Sequence, residues 1–351
     1  AWGKRSEEHS LKASDFYYSP AKTEISVEEF STLDQHNFSI TQFETDFSMD
    51  AHSVTAEKLI IKTANSAIDA DLNIRFSSLA SLKDSLPFLI LNLDMRNVQV
   101  RNSEIVYFNA GLYKQPFFKD VMNTTTVSGK VSGPVNNLSG ESLTIKTGRN
   151  TQVKTDFTIR GLPEVETAWF NFPNLKVNSG RKDIKMMAGA AIPDSISLPE
   201  TIALRVNFKG EIRSFVTTLA LNSSYGSADV SASVDKNENF RSKLSLVKFD
   251  VGRLMMDTAM FGPVSLKAET SGRGLDKNTI RASVRADVSQ VYLNRYNYHN
   301  LTVDGDITGQ KFEGQINLDD QYAAFDFDGL VNLNAGEEQY KFKLNVKGAD
   351  L

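Results

Sequence analysis

Ile202-Ala203-Leu204-Arg205-Val206-Asn207-Phe208-Lys209 decides the fold class: Ile202, Leu204, Val206 and Phe208 alternate with Arg205, Asn207 and Lys209. A period of two puts one set of side chains on each face of a β-strand, so this stretch is a strand with one face to bury. The same alternation recurs along the chain. Phe38, Ile40, Phe43, Thr45, Phe47 and Met49 carry it, with Gln42 breaking the phase. Leu72, Ile74 and Phe76 follow, then Val153, Thr155, Phe157 and Ile159. Ile280, Ala282, Val284, Ala286 and Val288 repeat it, and so do Phe342, Leu344 and Val346. Polar-out, apolar-in alternation favours antiparallel sheet over the continuous apolar strands of a buried parallel sheet. Turn signals stand between the runs at Ser128-Gly129, Ser132-Gly133-Pro134, Asp304-Gly305, Asp328-Gly329 and Asn334-Ala335-Gly336, which reads as a meander. Gly210 and Gly305 read as bulges or turns.

Helices are few. Residues 77–86 (SSLASLKDSL) have leucines at three- and four-residue spacing before Pro87. Residues 116–122 (PFFKDVM) fit one or two turns, and residues 250–260 (DVGRLMMDTAM) start with an aspartate suited to an N-cap. None is long enough to cover a sheet of this size.

An internal repeat carries weight. Residues 54–63 read VTAEKLIIKT and residues 138–147 read LSGESLTIKT, with Glu57/Glu141, Leu59/Leu143, Ile61/Ile145, Lys62/Lys146 and Thr63/Thr147 identical. Asp71/Asp156, Ile74/Ile159 and Arg75/Arg160 extend the match. The spacing makes each unit several strands, stacked so that units touch only their neighbours. One elongated, repeat-built β segment over residues 1–351 is expected, with tentative units at 1–125, 126–200 and 201–351. A one-faced sheet must bury its apolar face. It either packs on a second sheet as a sandwich or curls without closing and leaves an apolar groove, and periodicity does not separate the two.

Composition narrows the function. The chain has 351 residues, 40% hydrophobic, with a formal net charge of −4; its pI is near 5.7 and its mean hydropathy −0.30. There is no basic footprint for nucleic acid. With no cysteine, disulfides, thiolate metal sites and cysteine nucleophiles are excluded. No stretch approaches the roughly 18 apolar residues of a membrane-spanning helix. Ala1-Trp2-Gly3-Lys4 is not a signal peptide, so a targeting segment is expected outside the chain.

The phrases Ile192-Pro193-Asp194-Ser195-Ile196-Ser197-Leu198-Pro199, Phe208-Lys209-Gly210-Glu211-Ile212 and Phe249-Asp250-Val251-Gly252-Arg253-Leu254 come in that order. Gly272-Arg273-Gly274 and then Asn294-Arg295-Tyr296-Asn297-Tyr298-His299-Asn300-Leu301-Thr302-Val303-Asp304-Gly305 follow. Together they resemble the C-terminal half of the TamB/AsmA-like family of envelope proteins. Arg295 departs from the small residue the family places before Tyr296. The resemblance covers about residues 38–351. It implies an all-β fold: an elongated, curled, mostly antiparallel sheet, taco-like, with an apolar groove inside and a few short helices. It also implies a periplasmic location with an inner-membrane anchor outside this chain. The roles implied are phospholipid transport between the two membranes and outer-membrane protein assembly with a BamA/TamA-like barrel partner. The groove candidates are Leu59, Ile61, Phe157, Ile159, Leu204, Val206, Phe208, Val284, Val288, Phe342 and Leu344. The alternative is a non-catalytic adhesin or scaffold of tandem β-sandwiches. A β-rich hydrolase or sugar-binding domain is a third reading without supporting carboxylate spacing.

No catalytic constellation stands out, and the chain is expected not to be an enzyme and to need no cofactor or metal. His9, His36, His52 and His299 have no partner at i+4; His36 and His52 could meet across a hairpin. Asp304, Asp306, Asp326 and Asp328 form Asp-x-Asp pairs that suit calcium, but alternation puts them on an outward, solvated face. Trp169-Phe170 with Phe172-Pro173 reads as local core beneath a bulge, or as a rim against lipid.

Overall fold

The computed structural model describes residues 6–34, 38–78, 86–188, 192–334, 336 and 338–349. The chain divides into two compact units, residues 1–179 with 183–189 and residues 180–182 with 190–351.

The first unit carries ten strands: β1 Ser6–Tyr18, β2 Lys22–Asp34, β3 Ser39–Asp50, β4 Ser53–Thr63, β5 Ala67–Arg75, β6 Ile90–Arg101, β7 Thr124–Pro134, β8 Asn137–Thr147, β9 Thr151–Arg160 and β10 Trp169–Gly180. The helices α1 (Asn102–Phe108) and α2 (Pro116–Lys119) follow β6, and α3 (Arg181–Ala188) follows β10. The second unit has ten more: β11 Thr201–Glu211, β12 Ser214–Ser223, β13 Gly226–Val234, β14 Asn239–Asp250, β15 Phe261–Arg273, β16 Arg281–Leu293, β17 Tyr296–Thr308, β18 Lys311–Asp319, β19 Ala323–Asn332 and β20 Gln339–Ala349, with α4 (Val251–Leu254) after β14. Within each unit every strand pairs antiparallel with its sequence neighbours, a plain meander.

The sheets are open and single-layered. Among the described residues only twelve apolar side chains are buried, five of them alanine. A filled sandwich of this size would bury an interior on both inner faces. Most apolar residues are instead half-buried, shielded by neighbours on their own face. Residue type alone does not produce this: Ala203 and Ala220, on the polar face of the second unit, are exposed, whereas Ala228 and Ala282, on its apolar face, are 7% and 6% exposed.

The phase break at Gln42 is a β-bulge, with a register shift between Ile40 and Gln42. The sequence repeat is a second kind of bulge. After Ala56 and after Gly140 the register slips, and the extra residues Lys58 and Ser142 each take φ near 51°. Each then donates its N–H to an aspartate on the next strand at 2.6 Å, Lys58 to Asp71 and Ser142 to Asp156. These two aspartates are the identical pair of the repeat, so the repeated sequence encodes a bulge and the carboxylate that holds it.

Several expectations are corrected. Ser128-Gly129 and Ser132-Gly133 are not turns but lie inside β7; Asp304-Gly305 lies inside β17 and Asp328-Gly329 inside β19. Gly210 also sits inside β11, where the pairing with β12 runs without a register shift. At these glycines the neighbouring backbone comes too close for a side chain: a Cβ on Gly133 would sit 2.6 Å from the Asn137 carbonyl oxygen. The helix expected over residues 250–260 is only the single turn Val251–Leu254, although Asp250 does cap it, its Oδ1 accepting the Arg253 N–H at 2.9 Å. Over residues 116–122 the helix covers Pro116–Lys119. The helix expected at residues 77–86 falls mostly outside the described residues, as do His36 and Ala335.

Candidate functional site

The pairing registers line up side chains in rows that cross each sheet perpendicular to its strands. In the second unit one row runs through all ten strands: Leu204, Leu221, Ala228, Leu246, Leu266, Val288, Leu301, Leu318, Phe325 and Val346. A second row starts at Val206 and Leu219 and ends at Phe327 and Leu344; a third starts at Phe208, includes Val284 and ends at Phe342. A fourth runs from Gly210 and Phe215 to Val331 and Tyr340. None of the four contains a charged residue, and the hydroxyls in the third are bonded within the sheet: Thr217 Oγ1 donates to the Asn207 carbonyl at 2.9 Å, and Ser242 and Thr270 bond each other at 3.0 Å. Seven of the eleven groove candidates therefore share three adjacent rows.

The first unit repeats the device. Leu11, Phe30, Phe43, Ile61, Ile68, Val98, Val127, Ile145, Val153 and Val177 form one row across its ten strands. A second row includes Phe47, Ala56, Leu72, Leu93, Val131, Gly140 and Phe157. Leu59 pairs with Ala70, and Ile159 with Leu138 and Phe170, on the same face. The Phe157 ring lies over Gly140 and would meet an added Cβ there at 2.1 Å. An aromatic ring covering a cross-strand glycine restores the packing that the glycine lacks.

Scale fits a hydrocarbon. Same-face residues recur about 7 Å apart along a strand, so four rows are roughly 20 Å deep, and ten strands at ~4.8 Å spacing give about 43 Å of run. One leaflet of a bilayer is roughly 15 Å of hydrocarbon, half the ~30 Å core.

In the second unit the apolar face is closed along one side, beside the first row at β13–β16. Tyr225, Ala228, Phe249, Val264 and Val288 form a buried cluster against which Val251 and Leu254 of α4 pack. The Tyr225 hydroxyl bonds Ser197 Oγ at 3.1 Å and the Leu198 carbonyl at 3.2 Å, fastening the segment before β11 to the same side. The sequence reading missed this seal, because its signal is one tyrosine in a tight turn rather than a periodic pattern.

At the turn before β19, Asp320 is buried and accepts from the Tyr296 hydroxyl at 2.8 Å and from the N–H groups of His299 and Tyr322 at 2.9 and 3.1 Å. Burial opposes the Asp320 charge, but these donors outweigh it and hold the carboxyl below its usual range. Burial first, and then the bond to Asp320, pushes Tyr296 up to about 12. The signs give two windows. Asp320 contributes stability above the ordinary carboxylate pKa of about 4, lost as pH falls below it; Tyr296 contributes below about 10, lost as pH rises from there toward 12. Unfolding midpoints measured across pH are expected to fall in both windows, and Tyr296→Phe is expected to flatten the alkaline fall. An unchanged alkaline limb in that variant would refute the assignment.

The polar faces carry ion pairs that fix register. Arg285 and Asp304 pair at 2.8 Å, Lys243 and Glu269 at 2.7 Å, and Lys130 and Asp94 at 3.0 Å. Shallow depressions lie on this face, one of about 520 Å³ lined by Arg205, Asp229, Lys243, Lys267 and Glu269. Their mixed signs select no ion. Asp304, Asp306, Asp326 and Asp328 point outward here, Asp306 accepting from Ser283 and Asp326 paired with Lys347. Among the described residues no three His, Asp or Glu side chains converge in a metal-binding group. His52 bonds the Ser77 carbonyl through Nδ1 at 2.9 Å. The Trp169 cluster does sit at a bulge: the β9–β10 register shifts between Asn171 and Lys176, Phe170 stacks on Phe172, and Arg160 lies over the Trp169 ring. No helix of the described residues is long and apolar enough to cross a membrane. Comparison with family models, with curated proteins and with solved structures finds no match.

Proposed function

We propose that this chain is a non-enzymatic, periplasmic segment of a lipid conduit of the TamB/AsmA-like kind, along whose apolar face phospholipid tails travel between inner and outer membrane. One observation carries the reading: rows without charge, four in the second unit and one in the first, cross all ten strands of their unit, and the described residues provide no second sheet to cover them. No charged residue interrupts these rows, which suits a cargo that slides rather than a ligand that docks. Head groups stay in water while the tails lie on the rows, so burying the tails removes apolar area from solvent at roughly 25 cal/mol per Å² without desolvating a charge. An inner-membrane anchor outside this chain and a BamA/TamA-like barrel at the outer membrane complete the proposal, on the strength of the family resemblance. The scaffold reading requires filled sandwiches, and the small number of fully buried apolar side chains weighs against it. The test is native mass spectrometry with lipid extraction on protein purified from bacteria. Co-purifying phospholipid is the expected result; a lipid-free monomer would move the assignment to a scaffold.

A further inference from the structure

The polar face of the first unit is uneven in charge. Over β3–β7 bases meet acids: Lys58 pairs with Asp46 at 2.9 Å, Arg96 with Asp69 at 2.6 Å and Lys130 with Asp94 at 3.0 Å. Toward the β8–β9 turn that pattern stops. One row there runs from Gln42 on β3 to Asn178 on β10 through Lys62, Gln99, Thr126, Lys146 and Gln152, with no acid in it. Beside it, Lys154 on β9 stands directly opposite Lys176 on β10. Like charges directly opposite are destabilising, so an anion lying across the pair relieves it. Lys146, Arg149, Lys154 and Lys176 are all exposed, and none of the four forms an ion pair among the described residues. The neighbouring acids are spent elsewhere. Asp156 accepts from the Ser142 N–H at 2.6 Å and the Asn174 side-chain amide at 2.8 Å. Asp183 is buried and accepts the backbone N–H groups of Arg149 and Asn150 at 3.1 and 2.7 Å, which fixes the turn without engaging the Arg149 guanidinium.

A hollow of about 410 Å³ lies at this turn, with Gln99, Thr126, Lys146, Arg149, Asn150 and Gln152 in its wall. No acid and no aromatic ring lines it, whereas the depression around Arg205 and Asp229 mixes both signs. We propose that this hollow binds an acidic saccharide, whose anionic groups sit on the lysines and Arg149 and whose hydroxyls meet the amides of Gln99, Asn150 and Gln152. An amide both donates and accepts, as a sugar hydroxyl does, and the cations supply charge-assisted bonds. An acidic peptide fits less well. It docks on a sheet by backbone pairing, and β7, β8 and β9 already have a strand on each side. A single-stranded nucleic acid stacks its bases on aromatic rings, and the hollow has none. This inference is independent of what the apolar face carries.

The test titrates the whole chain with three fluorescently labelled oligomers, hexagalacturonate, hexaglutamate and maltohexaose, and reads binding by anisotropy. The first two match in side-group carboxylates, and the first and third match in being hydroxyl-bearing rings. Hexagalacturonate is expected to bind about tenfold more tightly than either of the others. Gln99→Ala combined with Gln152→Ala is expected to erase its advantage over hexaglutamate. Lys176→Glu is expected to weaken hexagalacturonate about tenfold and to raise the unfolding midpoint, because the like pair with Lys154 becomes an opposite one. A variant that lost binding by misfolding would melt lower instead. Arg213→Glu makes the same charge change at an exposed arginine of the second unit and is expected to leave binding unchanged. Hexaglutamate or maltohexaose binding as tightly as hexagalacturonate would overturn the proposal, in favour of an acidic peptide or of a neutral glycan. Equal weakening by Lys176→Glu and Arg213→Glu would overturn it in favour of net charge alone.

Discussion

Val206→Asp is expected to reduce co-purifying phospholipid by about tenfold while leaving the protein folded. Val206 heads the second uncharged row, paired with Leu219 on the neighbouring strand. It is half-buried, with no layer above it, so without lipid an aspartate there keeps access to water and the sheet survives. With tails lying on the row the same carboxylate is cut off from solvent. Burying an unpaired charge costs several kcal/mol in full, and on an open face a fraction of that, about 1.4 kcal/mol, already gives tenfold. The control is Asn207→Asp, one residue along and on the polar face, where the same charge is expected to change nothing. Phospholipid content by mass spectrometry, with circular dichroism to confirm folding, reads both variants. A folded Val206→Asp protein carrying lipid at the level of the unsubstituted chain would remove the apolar face as the path.

The difference between those two neighbours was legible in the sequence, because a period of two assigns faces before any strand is paired. Alternation placed the groove candidates on one face, and it located the bulge at Gln42 through the break in phase. The rows were not legible. They depend on register across strands, which bulges at Lys58 and Ser142 reset: each inserts a residue into one strand, so its partnered side chains step from Ala56 to Leu59 and from Gly140 to Leu143, and every later pairing shifts. The internal repeat held the missing clue: its shared aspartates, Asp71 and Asp156, are the acceptors that fix those bulges. Glycine was misleading for a physical reason. Gly133, Gly305 and Gly329 look like turn residues, yet they stand inside strands because backbone from the next strand occupies the place of their Cβ. Absence of a side chain serves a turn and a close approach equally well, and only the neighbour across the sheet tells them apart.

Gly252→Ala tests that reasoning where the neighbour has least room to move. Alanine is the better helix former by about 1 kcal/mol, and Gly252 lies within α4, so propensity alone predicts a more stable protein. Sterics oppose it. An added Cβ would sit 1.9 Å from the Phe261 carbonyl oxygen and 2.6 Å from its carbon, at the first residue of β15. That obstacle is backbone, so α4 must lift, and with it Val251 and Leu254 leave the cluster around Phe249 and Val264. Overpacking of this kind costs about 1–3 kcal/mol before any lost contacts, which outweighs the helical gain. A net loss of about 2 kcal/mol is expected once the lost contacts of Val251 and Leu254 are added, read as a fall in the denaturant midpoint of the second unit. Gly140→Ala should cost less despite a contact of 2.1 Å, because its obstacle is the Phe157 ring, which can rotate away. Gly348→Ala should be close to neutral, having nothing within 4 Å. If Gly252→Ala proves as stable as Gly348→Ala, α4 is not fastened to the sheet and the side of the apolar face beside the first row is open.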